Sequence, residues 1–262
     1  YDAVQIGFGQ TMAAKVGKPM LGHFQKEGKG AFSALQEIRI ESAEPLDIGT
    51  NEVFAADPQV MLHGMLAIEL VRSGLVEQAR IHLQQARARA QALRQPMTWL
   101  VAAWQEVLIE VRAANHMRVA ALADDMQALV DEYSLALGRT ACRWWRGWAD
   151  ARNGAPRDGY RRIREAYEEH TGLGMRSGAS EILGYATEAL LLAGDCNAAQ
   201  VELQEAFRVV EELGERVYLP QLLLLEAAIV RAQGQPDASI ATVRRAVDEA
   251  RAQEAPWLEL QA

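Results

Sequence analysis

Three glycines frame this chain. Gly154 opens GAPRDGYRRI, Gly194 opens GDCNAAQVEL and Gly234 opens GQPDASIATV, a constant spacing of 40 residues. The same step backwards lands on Ala114 in RAANHMRVAAL and on Gly74 in GLVEQARIHL. Five phases of one unit follow each other without net insertion. A fixed period of this size belongs to stacked helical pairs, in which each pair buries its apolar face only against its neighbours. The expected fold is all-α: a right-handed α-α superhelix of antiparallel helix pairs with a period near 40 residues.

The phase can be tested column by column. Five residues after the turn position stand Ala79, Val119, Gly159, Ala199 and Ser239. Nine after stand Leu83, Ala123, Ile163, Leu203 and Val243; twelve after stand Ala86, Met126, Ala166, Ala206 and Ala246. Seven before stand Ala67, Val107, Gly147, Thr187 and Ala227. Small or apolar columns are what close helix packing requires. Asp57-Pro58 is a helix start, with Asp as cap and Pro in the first turn. First helices of each pair are expected from residue 59 and over about 97–113, 138–152, 178–192 and 217–232. Second helices are expected after Gly74 and over about 116–134, 156–171, 196–213 and 236–253.

The start of the chain is less regular. A helix is expected over 2–16, then a helical hairpin over 21–40 broken at Gly28–Gly30, with no alternating β-pattern of useful length. GFGQ lacks the Lys-Ser/Thr ending of a phosphate loop. The loop formers Pro45, Gly49, Asn51 and Pro58 mark 41–58 as the longest irregular connection. The whole reads as one domain over 1–262, with an irregular first repeat over 1–58 and regular repeats over 59–262. Tyr1 at the start and PWLELQA at the end read as cuts in a longer polypeptide.

Composition narrows the function. With 27 basic and 35 acidic residues the formal net charge is −8, against general nucleic-acid binding. Cys142 and Cys196 form no disulfide framework, so a reducing compartment, the cytoplasm, is expected. No apolar run is long enough to cross a bilayer; Glu226 interrupts the longest, LPQLLLLEAAIV.

The repeat from Trp148 onward, GWADARNGAPRDGYRRIREAYEEHTGLG and then ATEALLLAGDCNAAQVELQEAFRVVEELGERVYLPQLLLLEAAIVRAQGQ, resembles the tetratricopeptide-like (TPR-like) region of bacterial multidomain STAND-ATPase regulators. DPQVMLHGMLAIELVRSGLVEQA and PMTWLVAAW fit the same pattern, and the resemblance covers roughly residues 22–262. In that family such repeats follow an ATPase and an adenylate cyclase-type or winged-helix effector domain. The resemblance implies a regulatory module, with upstream domains of the same chain as partners, and carries over no catalytic residue.

No residue pattern supports an enzyme, a metal or a cofactor. His23, His63, His82, His116 and His170 stand alone, without a ligand motif. No serine sits in a nucleophile elbow. The most distinctive local chemistry is RTACRWWRGWADARNG. Arg139, Arg143, Arg146 and Asp150 form one stripe along a first helix, flanked by Trp144, Trp145 and Trp148. The preceding first helix offers Trp99, Glu106 and Glu110, and the one before that His63. Two readings stand side by side. In one, the stripe lines a concave groove where arginines capture carboxylate or phosphate. In the other, the tryptophans fill core gaps between helices and the arginines pair with Glu106, Glu110 or Asp150 across adjacent helices. The expected function is a ligand- or protein-binding sensor module of a bacterial signalling or transcriptional regulator, cytoplasmic, with a protein partner or small-molecule effector. The alternative is a structural scaffold that packs on an ATPase domain or on a second copy, without a small ligand.

Overall fold

The computed structural model describes residues 56–256, the side chains of 136 and 137 apart, and the backbone of Asp2–Gln10 and Phe32–Ile40. The chain divides into two compact units, Tyr1–Glu52 and Val53–Ala262, where a single array over 1–262 was expected.

The first unit corrects the helical expectation for its described residues. Asp2–Gln10 is a strand, β1, and Phe32–Ile40 a second, β2. They pair antiparallel, with Val4 opposite Ile38, Ile6 opposite Gln36 and Phe8 opposite Ala34. The signal was there: Val4, Ile6 and Phe8 recur at every second position, the period of a strand. Gly7 to Gln10 continue β1 rather than turning as a phosphate loop does. The break at Gly28–Gly30 and the connection over 41–55 lie outside the described residues.

In the second unit every regular element among the described residues is helical. The α-helices are α1 Pro58–Arg72, α2 Val76–Leu93, α3 Pro96–Arg112, α4 His116–Tyr133, α5 Ala136–Arg152, α6 Pro156–Gly172, α7 Ala179–Leu192, α8 Cys196–Leu213, α9 Leu219–Ala232 and α10 Pro236–Ala252. A short 3-10 turn, Arg216–Tyr218, precedes α9. The numbered expectations for both helices of each pair hold to within two residues at every end. Neighbouring helices pack in sequence, and the odd-numbered first helices also meet one another: α1 with α3, α5 with α7, α7 with α9.

The turns explain the period. Residues with positive φ recur every 20 residues, at Gly74, Arg94, Ala114, Ser134, Gly154, Gly174, Gly194, Gly214, Gly234 and Glu254. Each lies just beyond a helix, where a left-handed residue reverses the chain and satisfies the last carbonyls. At Gly194, N–H groups of Gly194 and Asp195 bond back to the carbonyls of Leu191 and Leu190, both at 3.0 Å. The 40-residue repeat is therefore two half-units of equal length. The second half-unit is masked in the sequence because Arg94, Ser134 and Glu254 hold its turn in place of glycine.

The predicted columns are the core. Ala86, Met126, Ala166, Ala206 and Ala246 are buried, as are Ala79, Val119, Ala199 and Ser239. Small residues matter most between α5 and α6. A methyl group added at Gly147 would lie 2.8 Å from the Gly159 carbonyl oxygen, and one at Gly159 2.4 Å from that of Gly147. The two backbones touch there. At the start of the array, Asp57 caps α1 by accepting from the Val60 N–H at 3.0 Å. Its carboxylate also takes a two-pronged hydrogen bond from Arg89 of α2, both arms at 2.7 Å. Its own N–H donates to Thr98 of α3 at 3.0 Å. One aspartate thus joins three helices.

Candidate functional site

Three of the four residues of the predicted stripe, Arg143, Arg146 and Asp150, are paired within the chain. Arg143 pairs with Glu169, and with Glu165 at 3.4 Å, both on α6. Arg146 pairs with Asp124 of α4 and with Asp150 at 2.9 Å. Asp150 also faces Arg162 at 3.3 Å. Arg139 is exposed and makes no ion pair among the described residues. Glu106 is buried and receives Arg87 at 3.0 Å and Arg118 at 2.7 Å. Glu110 accepts from the Asn115 amide at 2.7 Å. Of the expected pairing acids Glu106, Glu110 and Asp150, Asp150 does pair with Arg146, whereas the other partners are Asp124, Glu165 and Glu169 of second helices. Arginines held this way carry little charge for an incoming anion.

The tryptophans are core. Trp144, Trp145 and Trp148 are all buried. Trp104 of α3 meets Trp145 edge to face at 4.8 Å and Trp144 at 6.2 Å. Trp144 also meets His170 at 5.2 Å. Such pairs add about 0.5–1.5 kcal/mol each beyond area burial. Trp99 is half-buried against the same cluster. Burial pushes the Cys142 thiol up to about 12, so it stays protonated and unreactive. His63 forms a separate feature. Its Nδ1 lies 2.9 Å from that of His82, with the rings stacked at 5.2 Å. Burial, then the charge of His82, lowers the His63 pKa. Among the described residues no group of three metal-ligating side chains occurs.

The helical unit does hold a concave site, and the sequence missed it. A cavity of about 300 Å³ lies among the first helices α3, α5, α7 and α9. That volume is at the small end of the roughly 300–1,000 Å³ of ligand pockets. Its floor is apolar, with Gly184, Leu222 and Leu225. Its polar rim has two halves. At one, Glu181 accepts from the Tyr185 hydroxyl at 2.6 Å and from Tyr218. Burial pushes the Glu181 carboxyl above the usual carboxylate range, against the opposing pull of Arg112 and the two hydroxyls. At the other, Glu188 accepts from Trp148 Nε1 at 2.7 Å and pairs with Arg152, which lies over the Trp148 ring at 4.8 Å. Between them the Gln221 side-chain oxygen is buried and accepts no hydrogen bond among the described residues. Buried acceptors of this kind are rare and costly. A signal existed in the sequence: Glu181, Gly184 and Glu188 recur on one helical face opposite Gln221. It stood on α7, which contributes none of the site residues expected from the sequence.

No family model matches the chain, and no solved structure matches it. It is similar over part of its length to the large ribosomal subunit protein uL3. The uL3 of Syntrophobacter fumaroxidans is 51% identical over 57 residues, which are 22% of this chain and 26% of that protein. That of Pelobacter propionicus is 43% identical over 67 residues, 24% of this chain and 32% of that one. That of Geobacter sulfurreducens is 44% identical over 57 residues. The chain thus spans about a third or less of the length of these relatives. No described helix is long and apolar enough to cross a membrane.

Proposed function

We propose that the unit Val53–Ala262 is the ligand-binding sensor module of a bacterial multidomain regulator, a TPR-like right-handed solenoid that takes a small molecule on its concave, first-helix face. The observation that carries this is the cavity among α3, α5, α7 and α9, where an apolar floor meets a few convergent polar groups. Binding there clasps four successive helical pairs, so it would favour one curvature of the array. The bias it exerts equals its difference in affinity for the two curvatures. The test is a thermal-shift screen of cell metabolites against the protein and against Leu225→Trp, which fills the cavity. A stabilising metabolite whose effect vanishes in the variant supports the reading; metabolites that stabilise both proteins equally refute it.

The ribosomal matches favour a second reading for the other unit. The shorter matched length, 57 residues, is near that of the first unit, and lysine is confined to the start of the chain. All four lysines, Lys15, Lys18, Lys26 and Lys29, lie before residue 30, and residues 1–40 carry five basic against three acidic side chains. We infer that this stretch is the uL3-like part and that it contacts large-subunit ribosomal RNA, against the expectation of no nucleic-acid partner. Such contacts weaken steeply with salt. Co-sedimentation of the chain with large ribosomal subunits at low salt, lost when the four lysines are changed to glutamate, tests it. Co-sedimentation that ignores the lysines sinks it.

A further inference from the structure

The chemistry of the cavity selects its ligand, given the reading of the helical unit as a sensor. Both acids on its rim are already engaged, Glu181 by Tyr185 and Tyr218 and Glu188 by Trp148 and Arg152. Two arginines, Arg112 and Arg152, balance those two acids, so the rim is neutral as a whole. A ligand with net charge would enter a partly dry site without a counter-charge of its own, which opposes its binding. The floor of Gly184, Leu222 and Leu225 is apolar and open. A methyl group placed on Gly184 would already stand 3.1 Å from Leu222 and 3.9 Å from Leu225, so these leucines close on the glycine and form the floor on which a ligand would lie. Among the described residues of this lining, the buried side-chain atom without a hydrogen-bond partner is an acceptor, the Gln221 side-chain oxygen.

We propose that the cavity binds an uncharged heterocycle that lays its ring on the apolar floor of Gly184, Leu222 and Leu225 and donates one N–H to Gln221. A sugar or a nucleotide is disfavoured, because most of its hydroxyls or its phosphates would find no partner on this floor.

Three probes separate the terms, each titrated into the full chain by calorimetry. They are indole, 1-methylindole and indole-3-acetate, with the ring constant and the donor or the charge changed. Indole is expected to bind roughly tenfold more tightly than 1-methylindole, a difference of about 1.4 kcal/mol. It should lose that advantage in Gln221→Leu, a variant whose thermal midpoint certifies its fold. The 1-methylindole comparison needs no variant, so it decides even if Gln221→Leu is unstable. Equal binding of indole and 1-methylindole overturns the donor contact. Preference for indole-3-acetate, abolished by Leu225→Trp, overturns the neutral ligand while leaving the cavity as the sensor site. Failure of all three probes overturns the proposed class, and the metabolite screen with Leu225→Trp then decides the sensor reading separately.

Discussion

The left-handed turns make a reciprocal pair of substitutions decisive. Four of the five turns between first and second helices use glycine, and the fifth uses Ala114, at φ 54°. Its hydrogen bonds are those of the glycine turns: Ala114 N–H to the Val111 carbonyl at 3.0 Å and Asn115 N–H to that of Glu110 at 2.9 Å. An L-residue in this region costs about 1–2 kcal/mol, because Cβ crowds the following carbonyl. Glycine recovers that in the fold but gives back about 0.4–1 kcal/mol through its freer unfolded chain. Ala114 is exposed, so little packing is lost with its methyl. Ala114→Gly is therefore expected to stabilise the helical unit by about 0.5–1 kcal/mol. Gly194→Ala should cost about 1 kcal/mol by the same terms, since a methyl group there meets nothing within 4 Å and only the backbone objects. Urea unfolding of both variants, with unchanged slopes, measures this directly. In a thermal melt each kcal/mol corresponds to about 2–4 °C. Destabilisation by Ala114→Gly, or indifference to Gly194→Ala, would refute the claim that one turn geometry sets the repeat.

Other substitutions follow from the same packing. Gly147→Ala forces α5 and α6 apart, since the new methyl stands 2.8 Å from both the Gly159 oxygen and an Ile163 side-chain carbon; a loss of about 2–3 kcal/mol is expected in urea unfolding. Leu222→Ala, at a position 1% exposed, should cost about 2–5 kcal/mol, whereas Leu62→Ala, at a position 68% exposed, should stay within about 0.5 kcal/mol. Arg89 holds the Asp57 carboxyl below the usual carboxylate range; the folded pKa is depressed, so its stabilisation is present above the unfolded value of about 3.9 and lost as pH falls through the lower folded one. Asp57→Asn should flatten that acid limb in melts recorded across the range. His63 titrates low because of burial and of His82, so His82→Ala should raise its pKa in a proton NMR titration.

Legibility in the sequence tracked what repeats. The columns through Ala86 and Ala67 were readable because every unit asks the same thing of them: a small side chain where helices close. Helix ends were readable because Pro58, Pro156 and Pro236 open helices and Gly74 and Gly174 follow the first two. The strands were not, because β1 and β2 occur once and a seven-residue alternation is easily outvoted by the helix formers around it. The stripe through Arg143 and Arg146 was located correctly on one face of α5, yet spacing along a helix says nothing of what the next helix offers. Asp124 and Glu169 come from α4 and α6, and only packing brings them there. The ion pairs then follow from ordinary electrostatics, since a half-buried guanidinium without an acid is costly.

The position of the cavity follows from two columns read together. Ten residues before each turn, a first helix presents a side chain to the next first helix, which answers from nine before its own turn. The pairs are Gly64 with Gln105, Trp104 with Trp145, and Gly184 with Leu225. Where both partners are tryptophan, the seam is filled and buried. Where glycine faces Gln105, the long amide folds over it, so that a methyl on Gly64 would lie 1.6 Å from the Gln105 oxygen, and its NH₂ reaches the Met61 carbonyl at 3.2 Å. Where glycine faces Leu225, the answering side chain is short and branched and stops 3.9 Å from where a methyl would be. The same seam is thus filled by rings at one level, covered by an amide at another and floored by Leu222 and Leu225 at the third, where the cavity lies. Interiors are normally packed to crystal density, so an opening retained beside five ring and acid side chains is a feature of the side-chain choice at 184 and 225, and it falls on the face that all the first helices share.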